Sequence, residues 1–126
     1  MIKINHVGYV VRNIKIYEES FPLLTRVKSI YDPLQNADLV LYESGEGAYV
    51  ELIEPQNSSA FTWNHLEKFG DGLHHICYEG LGEQCVSELI NSRKMLKVRG
   101  PMYAPLFDRD VIFAITRTKA IIEFLL

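Results

Sequence analysis

The segment "NHVGYVV" at residues 5–11 returns as "HHICYEG" at residues 74–80, and each copy is followed by a helical stretch and then three strand-like runs. This repetition limits the possible folds more than any other feature of the chain. A four-stranded unit of this size has an apolar sheet face that it cannot bury alone, so two copies pair and close a cleft whose floor comes from both. Equivalent residues of the two copies then meet about a pseudo-twofold axis.

The first strand, "IKINHVGYVV", runs into Asn13, an N-cap for a helix carrying Ile14, Tyr17, Phe21 and Leu24 on one face, which Pro22 keeps short. Strand runs follow at "TRVKSIYD", "ADLVLYES" and "AYVELIEP", with "SGEG" as a tight turn between the last two. Residues 1–55 thus read as one βαβββ module. Residues 56–71 form a connector containing "FTWNHLEKFG", a short amphipathic helix closed by glycine. In residues 72–126 the pattern begins again, with "GLHHICYEG" as a strand and "EQCVSELINSRKML" as a helix presenting Val86, Leu89 and Ile90. "KVRGPM", "DVIFAIT" and "KAIIEFLL" complete the three further strands. The expected architecture is α+β, a single domain over 1–126 in which two βαβββ modules pair their sheets into an open cleft.

Composition narrows the function. The 126 residues carry a formal net charge of only −3 and no basic run, which argues against nucleic acid or an anionic membrane surface as partner and favours a small molecule. The longest uncharged apolar run, "VIFAI", falls far short of the ~20 residues of a membrane helix. Cys77 and Cys85 form no Cys-x-x-Cys pair and no leader segment is evident, so the expected setting is a reducing cytoplasm.

Each half also carries a glutamate in an apolar final strand, Glu51 in "YVELIEP" and Glu123 in "AIIEFLL". A buried carboxylate without a compensating partner costs several kcal/mol, so each needs a cation or hydrogen bonds. His6 precedes Glu51 by 45 positions and His75 precedes Glu123 by 48. Two imidazoles and two carboxylates at matched positions suit a borderline divalent ion whose charge the carboxylates balance. Aligning the copies puts Asn5 over His74 and His6 over His75. Alternation along a strand places His74 on the face opposite His75, so His75 and not His74 is expected to be needed for metal, and His74 is assigned no chemistry. Cys77 shares the face of His75 but aligns with Gly8, which reads as a small buried filler. Glu54 faces away from Glu51, His65 reads as a surface residue, and Asp38 is a candidate for the cleft rim.

At these residues the chain resembles the vicinal oxygen chelate superfamily, the glyoxalase and bleomycin-resistance fold. "NHVGYVV", "VELIEP", "GLHHICYE" and "DVIFAITRTKAIIEFL" are similar to that family's histidine-bearing and glutamate-bearing strands, most of all those of methylmalonyl-CoA epimerases. The resemblance implies His6, Glu51, His75 and Glu123 as ligands of one divalent ion (Co, Ni, Zn, Mn, Fe or Mg), with Glu51 and Glu123 as the proton-transferring groups. It further implies removal of a proton next to a carbonyl while the metal stabilises the enolate. The substrate would be an acyl-CoA thioester or, in a lactoylglutathione lyase, a glutathione hemithioacetal. A metal-free drug-binding module is the non-enzymatic form of the same fold, and a homodimer is the assembly the resemblance implies. "TRTKAII" stands where such epimerases usually carry a glycine-rich turn.

Overall fold

The computed structural model describes residues 1–126. Its first half comprises β1 (Lys3–Val10), α1 (Ile14–Ser20), β2 (Thr25–Asp32), β3 (Ala37–Glu43) and β4 (Tyr49–Pro55). A connector with α2 (Trp63–Phe69) leads to β5 (Gly72–Glu79), α3 (Glu83–Asn91), β6 (Met95–Ala104), β7 (Arg109–Thr116) and β8 (Ile121–Leu125). The βαβββ order therefore occurs twice, as the repeat requires.

All eight strands join in one sheet, ordered β2-β3-β4-β1-β5-β8-β7-β6. The seam is the antiparallel pair β1–β5, and each of these strands runs parallel to the last strand of its own half, β1 with β4 and β5 with β8. The register repeats as well, since Gly8 lies beside Glu51 and Cys77 beside Glu123. The two edges of the curled sheet approach each other. Lys28 Nζ of β2 donates to the carbonyls of Pro105 and Leu106 at 3.1 and 3.5 Å, and Arg99 of β6 donates to the Leu34 carbonyl.

Alternation sorts the strand residues into two faces. On the outer face α1 covers Val11, Val40, Tyr42 and Leu52, and α3 lays Val86 on Ile112, Ala114 and Phe124. The inner face of the first half holds Val10, Leu39, Leu41 and Ile53, closed over by Leu66 of α2 and Leu106 of the β6–β7 loop. In the second half Cys77, Val111, Phe113 and Leu125 do the same, with Phe61 and Phe107 packed against them. The inner face is thus roofed by the connector and the β6–β7 loop.

Local signals explain the element ends. Asn13 Oδ1 accepts from the Ile16 amide at 3.0 Å, capping α1 as expected, and the helix ends at Ser20, leaving Phe21 exposed beyond it. α3 is shorter than the run "EQCVSELINSRKML" predicts. Arg93 takes a left-handed conformation (φ 60°), and the amides of Arg93 and Lys94 return to the carbonyls of Ile90 and Leu89, which stops the helix and frees Met95 to begin β6. No helix is long and apolar enough to cross a membrane.

Candidate functional site

The four residues singled out by the repeat converge on the inner face at the β1–β5 seam, and all come from the one chain. His6 and His75 project from the central pair, Glu51 and Glu123 from β4 and β8 on either side, and all four are buried. Glu123 therefore belongs to an interior strand, and its carboxylate does not face solvent. The Nε2 atoms of His6 and His75 are 3.2 Å apart. Glu51 Oε1 is 3.4 Å from each, and Glu123 Oε1 is 3.1 Å from His6 Nε2 and 3.2 Å from His75 Nε2.

These separations suit a shared cation. An ion about 2.1 Å from two ligand atoms holds them roughly 3.0 Å apart at a right angle and roughly 3.4 Å apart at the tetrahedral angle. Glu123 Oε1 is fully buried and makes no hydrogen bond by strict geometry; its near neighbours are the two imidazole nitrogens, which balance its charge when protonated. Cys77 Sγ lies within reach of His6 and Glu123, so the buried filler borders the same cluster.

Charge is balanced within the cluster by protons when no ion is bound. Burial alone would lower the His6 imidazole, but the charge of Glu51, with hydrogen bonds to Cys77, Glu123 and Glu51, raises it well above 6.5. Burial likewise disfavours a charged His75, and the Glu123 charge outweighs it. Burial pushes both carboxyls up, whereas His6 chiefly draws Glu51 below 4.5 and His75 chiefly does so for Glu123. Two carboxylates thus require two positive charges, which two protons or one dication can supply.

The rings are held from behind by two β-bulges. Between Ile4 and His6 the first strand has an extra residue, Asn5, and between Leu73 and His75 the fifth strand has an extra residue, His74. Alternation predicted His74 on the face opposite His75; the bulge corrects this by turning its ring inward against Phe61 and Phe113. Asn5 Oδ1 accepts from His6 Nδ1 at 2.7 Å, and His74 Nδ1 lies 2.8 Å from His75 Nδ1. Burial, followed by the charges of His75 and His65, lowers His74 to about 2, so it is neutral.

Other residues differ from expectation or were not anticipated. Phe107 stacks on the His6 ring, with centroids 4.6 Å apart and planes 7° apart, and Phe113 meets His75 edge-on. No pattern in the sequence marks them. Gly8 had a signal, a glycine inside a strand, which indicates close approach of another group. Asp38 does not reach the cleft: it lies on the outer face, where it accepts from Gln56 Nε2 at 3.0 Å. Glu54 does face away, accepting from the Ile14 amide at 2.8 Å, while His65 is half-buried against His74.

Residues 5–94 match the family described as the Glyoxalase/Bleomycin resistance protein/Dioxygenase superfamily, and the chain belongs to it. Its fold is shared with a hypothetical protein from Bacillus halodurans C-125, at a TM-score of 0.83 and 21% identity over 98% of this chain and 93% of that one. Methylmalonyl-CoA epimerase from Mycobacterium tuberculosis superposes with a TM-score of 0.82 at 16% identity, over 97% of this chain and 85% of that one. The Streptomyces coelicolor methylmalonyl-CoA epimerase in complex with 2-nitronate-propionyl-CoA gives 0.79 at 16% identity, over 98% and 95%. No curated protein matches the chain at a significant level.

Proposed function

We propose that this protein is a divalent-metal-dependent enzyme that removes a proton from a carbon next to a carbonyl, an isomerase of the methylmalonyl-CoA epimerase kind. The observation that carries this reading is the buried four-atom cluster of His6, Glu51, His75 and Glu123, in which each imidazole nitrogen lies 3.1–3.4 Å from both carboxylate oxygens. Similarity of fold to epimerases solved with acyl-CoA ligands supports an acyl-CoA thioester as substrate.

A divalent ion held by these residues would supply Lewis acidity to a carbonyl oxygen. The chain supplies the rest. Glu51 and Glu123 flank the seam, so a substrate lying across β1 and β5 has a carboxylate on either side, one placed to take a proton and the other to return it. Burial of both removes competing water, and the charges of His6 and His75 keep each carboxylate ionised. The stacked ring of Phe107 and the ring of Phe113 hold the two imidazoles in one orientation, so the site is organised before substrate arrives.

The test is proton exchange. Metal-loaded protein incubated in deuterated water with a 2-methyl-branched acyl-CoA thioester is expected to place deuterium at the α-carbon. A glutathione hemithioacetal serves as the parallel substrate. Product from the hemithioacetal alone would reassign the protein as a lyase of the glyoxalase I kind. Tight binding of a planar or glycopeptide drug by metal-free protein, with no exchange, would reassign it as a sequestering module.

A further inference from the structure

We propose that His74 is a positioning residue, fixing the ring and tautomer of His75 through an Nδ1 to Nδ1 hydrogen bond as Asn5 fixes His6. This rests on the reading of His6 and His75 as metal ligands through Nε2. The second half of the chain has replaced an amide with an imidazole in the same role.

The geometry carries the argument. The two extra residues in the β1–β5 ladder are Asn5 and His74, and each immediately precedes a histidine of the cluster. A residue inserted in this way escapes the strict alternation of side chains, so it can turn toward the face its successor occupies. Both do so. The two contacts are 2.7 Å from Asn5 Oδ1 to His6 Nδ1 and 2.8 Å from His74 Nδ1 to His75 Nδ1.

Tautomers follow from the ligand role. An imidazole that offers its Nε2 lone pair to an ion carries its hydrogen on Nδ1 and needs an acceptor there. For His6 the acceptor is the Asn5 carbonyl oxygen, whose own amide is oriented by donation to Glu79 Oε1 at 3.3 Å. Glu79 in turn is paired with Lys3 at 3.3 Å and Arg109 at 2.9 Å. For His75 the acceptor is the bare Nδ1 of His74, which leaves the His74 hydrogen on Nε2. His74 is kept in place by edge-on contact with the rings of His65 and Phe61. The sequence fits the two duties differently: the amide relays to a charged surface cluster, and the imidazole is braced by aromatic packing.

The experiment is cobalt(II) titration of the metal-free full-length protein, following affinity and the visible spectrum, with circular dichroism as the check on folding. His74→Phe keeps the bulk of the ring but offers no acceptor, and His74→Asn restores the group its twin uses. The expected result is a loss of cobalt affinity of about 10- to 100-fold in His74→Phe with an altered spectrum, and recovery to within a few-fold of the native value in His74→Asn. Native affinity and spectrum in His74→Phe would overturn the positioning role, as would a His74→Asn protein that folds but binds no better than His74→Phe. His75→Ala separates the two readings. If it retains native affinity, the metal site itself falls and this role with it; if it loses cobalt while His74→Phe does not, only the positioning role is lost.

Discussion

Gly8 lies directly beneath the imidazole of His75: a Cβ at position 8 would sit 2.2 Å from His75 Cε1 and 2.4 Å from its Nε2. The two residues are partners across the β1–β5 ladder, so the ring is laid flat over a strand position that has no side chain. Gly8→Ala is therefore expected to push the His75 ring out of the cluster. Overpacking of this kind costs about 1–3 kcal/mol, which a domain survives. Metal content measured beside circular dichroism checks this, and a folded variant that keeps native metal affinity would refute it.

Exchange of either glutamate for its amide removes the carboxylate proposed as base while preserving shape. Glu123→Gln is expected to reduce deuterium incorporation into a thioester substrate by about 10²- to 10⁴-fold, the usual worth of a positioned proton-transfer group. Glu51→Gln distinguishes the two sides of the seam. If only one of the two residues serves as base toward a given stereoisomer, the variants will differ in which isomer exchanges.

Stability of the metal-free protein should depend on pH in a defined direction. His6 and His75 are raised above 6.5, so their contribution is complete below 6.5 and is lost as pH rises through their higher folded values. Glu51 and Glu123 are lowered below 4.5, so theirs is present above 4.5 and is lost as pH falls through the folded values. The metal-free protein is therefore most stable between 4.5 and 6.5, with a decline that begins above 6.5 and is complete once pH has passed the raised histidine values. On the proposed metal role, saturating divalent metal should abolish that decline, because His6 and His75 would bind it as neutral imidazoles and release their protons. Urea midpoints across roughly pH 5 to 9 with and without metal provide the measurement. An identical alkaline decline in both would count against an ion at the cluster.

The two thiols should react differently. Cys77 is fully buried, and burial pushes its thiol up to about 12, whereas Cys85 is half-buried on α3. A disulfide reagent should modify Cys85 alone in the native protein and both thiols after unfolding. Rapid native labelling of Cys77 would mean that the roof over the inner face opens freely.

Phe107 offers a further handle on that roof. Its ring covers His6 from the β6–β7 loop, whose carbonyls at Pro105 and Leu106 accept from Lys28 on edge strand β2. Phe107→Ala is expected to accelerate removal of bound metal by a chelator while leaving the secondary structure intact. An unchanged chelation rate would show that the ion leaves by another route.

Sequence alone determined the duplication, and with it the strand positions, because period-two alternation and paired turn signals are local properties that each copy states independently. His6, Glu51, His75 and Glu123 were legible for the same reason: a charged or titratable residue at matched places in two apolar strands stands out against its neighbours. What only the tertiary structure decided lies in the partnering of β1 with β5. A bulge is a mismatch between two strands and cannot be read from either one, so His74, assigned by alternation to the outer face, turned out to face inward beside His75. The same pairing explains why Gly8 must lack a side chain, since the group that fills the space belongs to a strand 67 positions away in the register Gly8–His75. Phe107 reaches His6 because the eight-stranded sheet curls, bringing the β6–β7 loop over the central strands. Local pattern specified which residues could form the cluster; long-range packing specified what holds each of them in place.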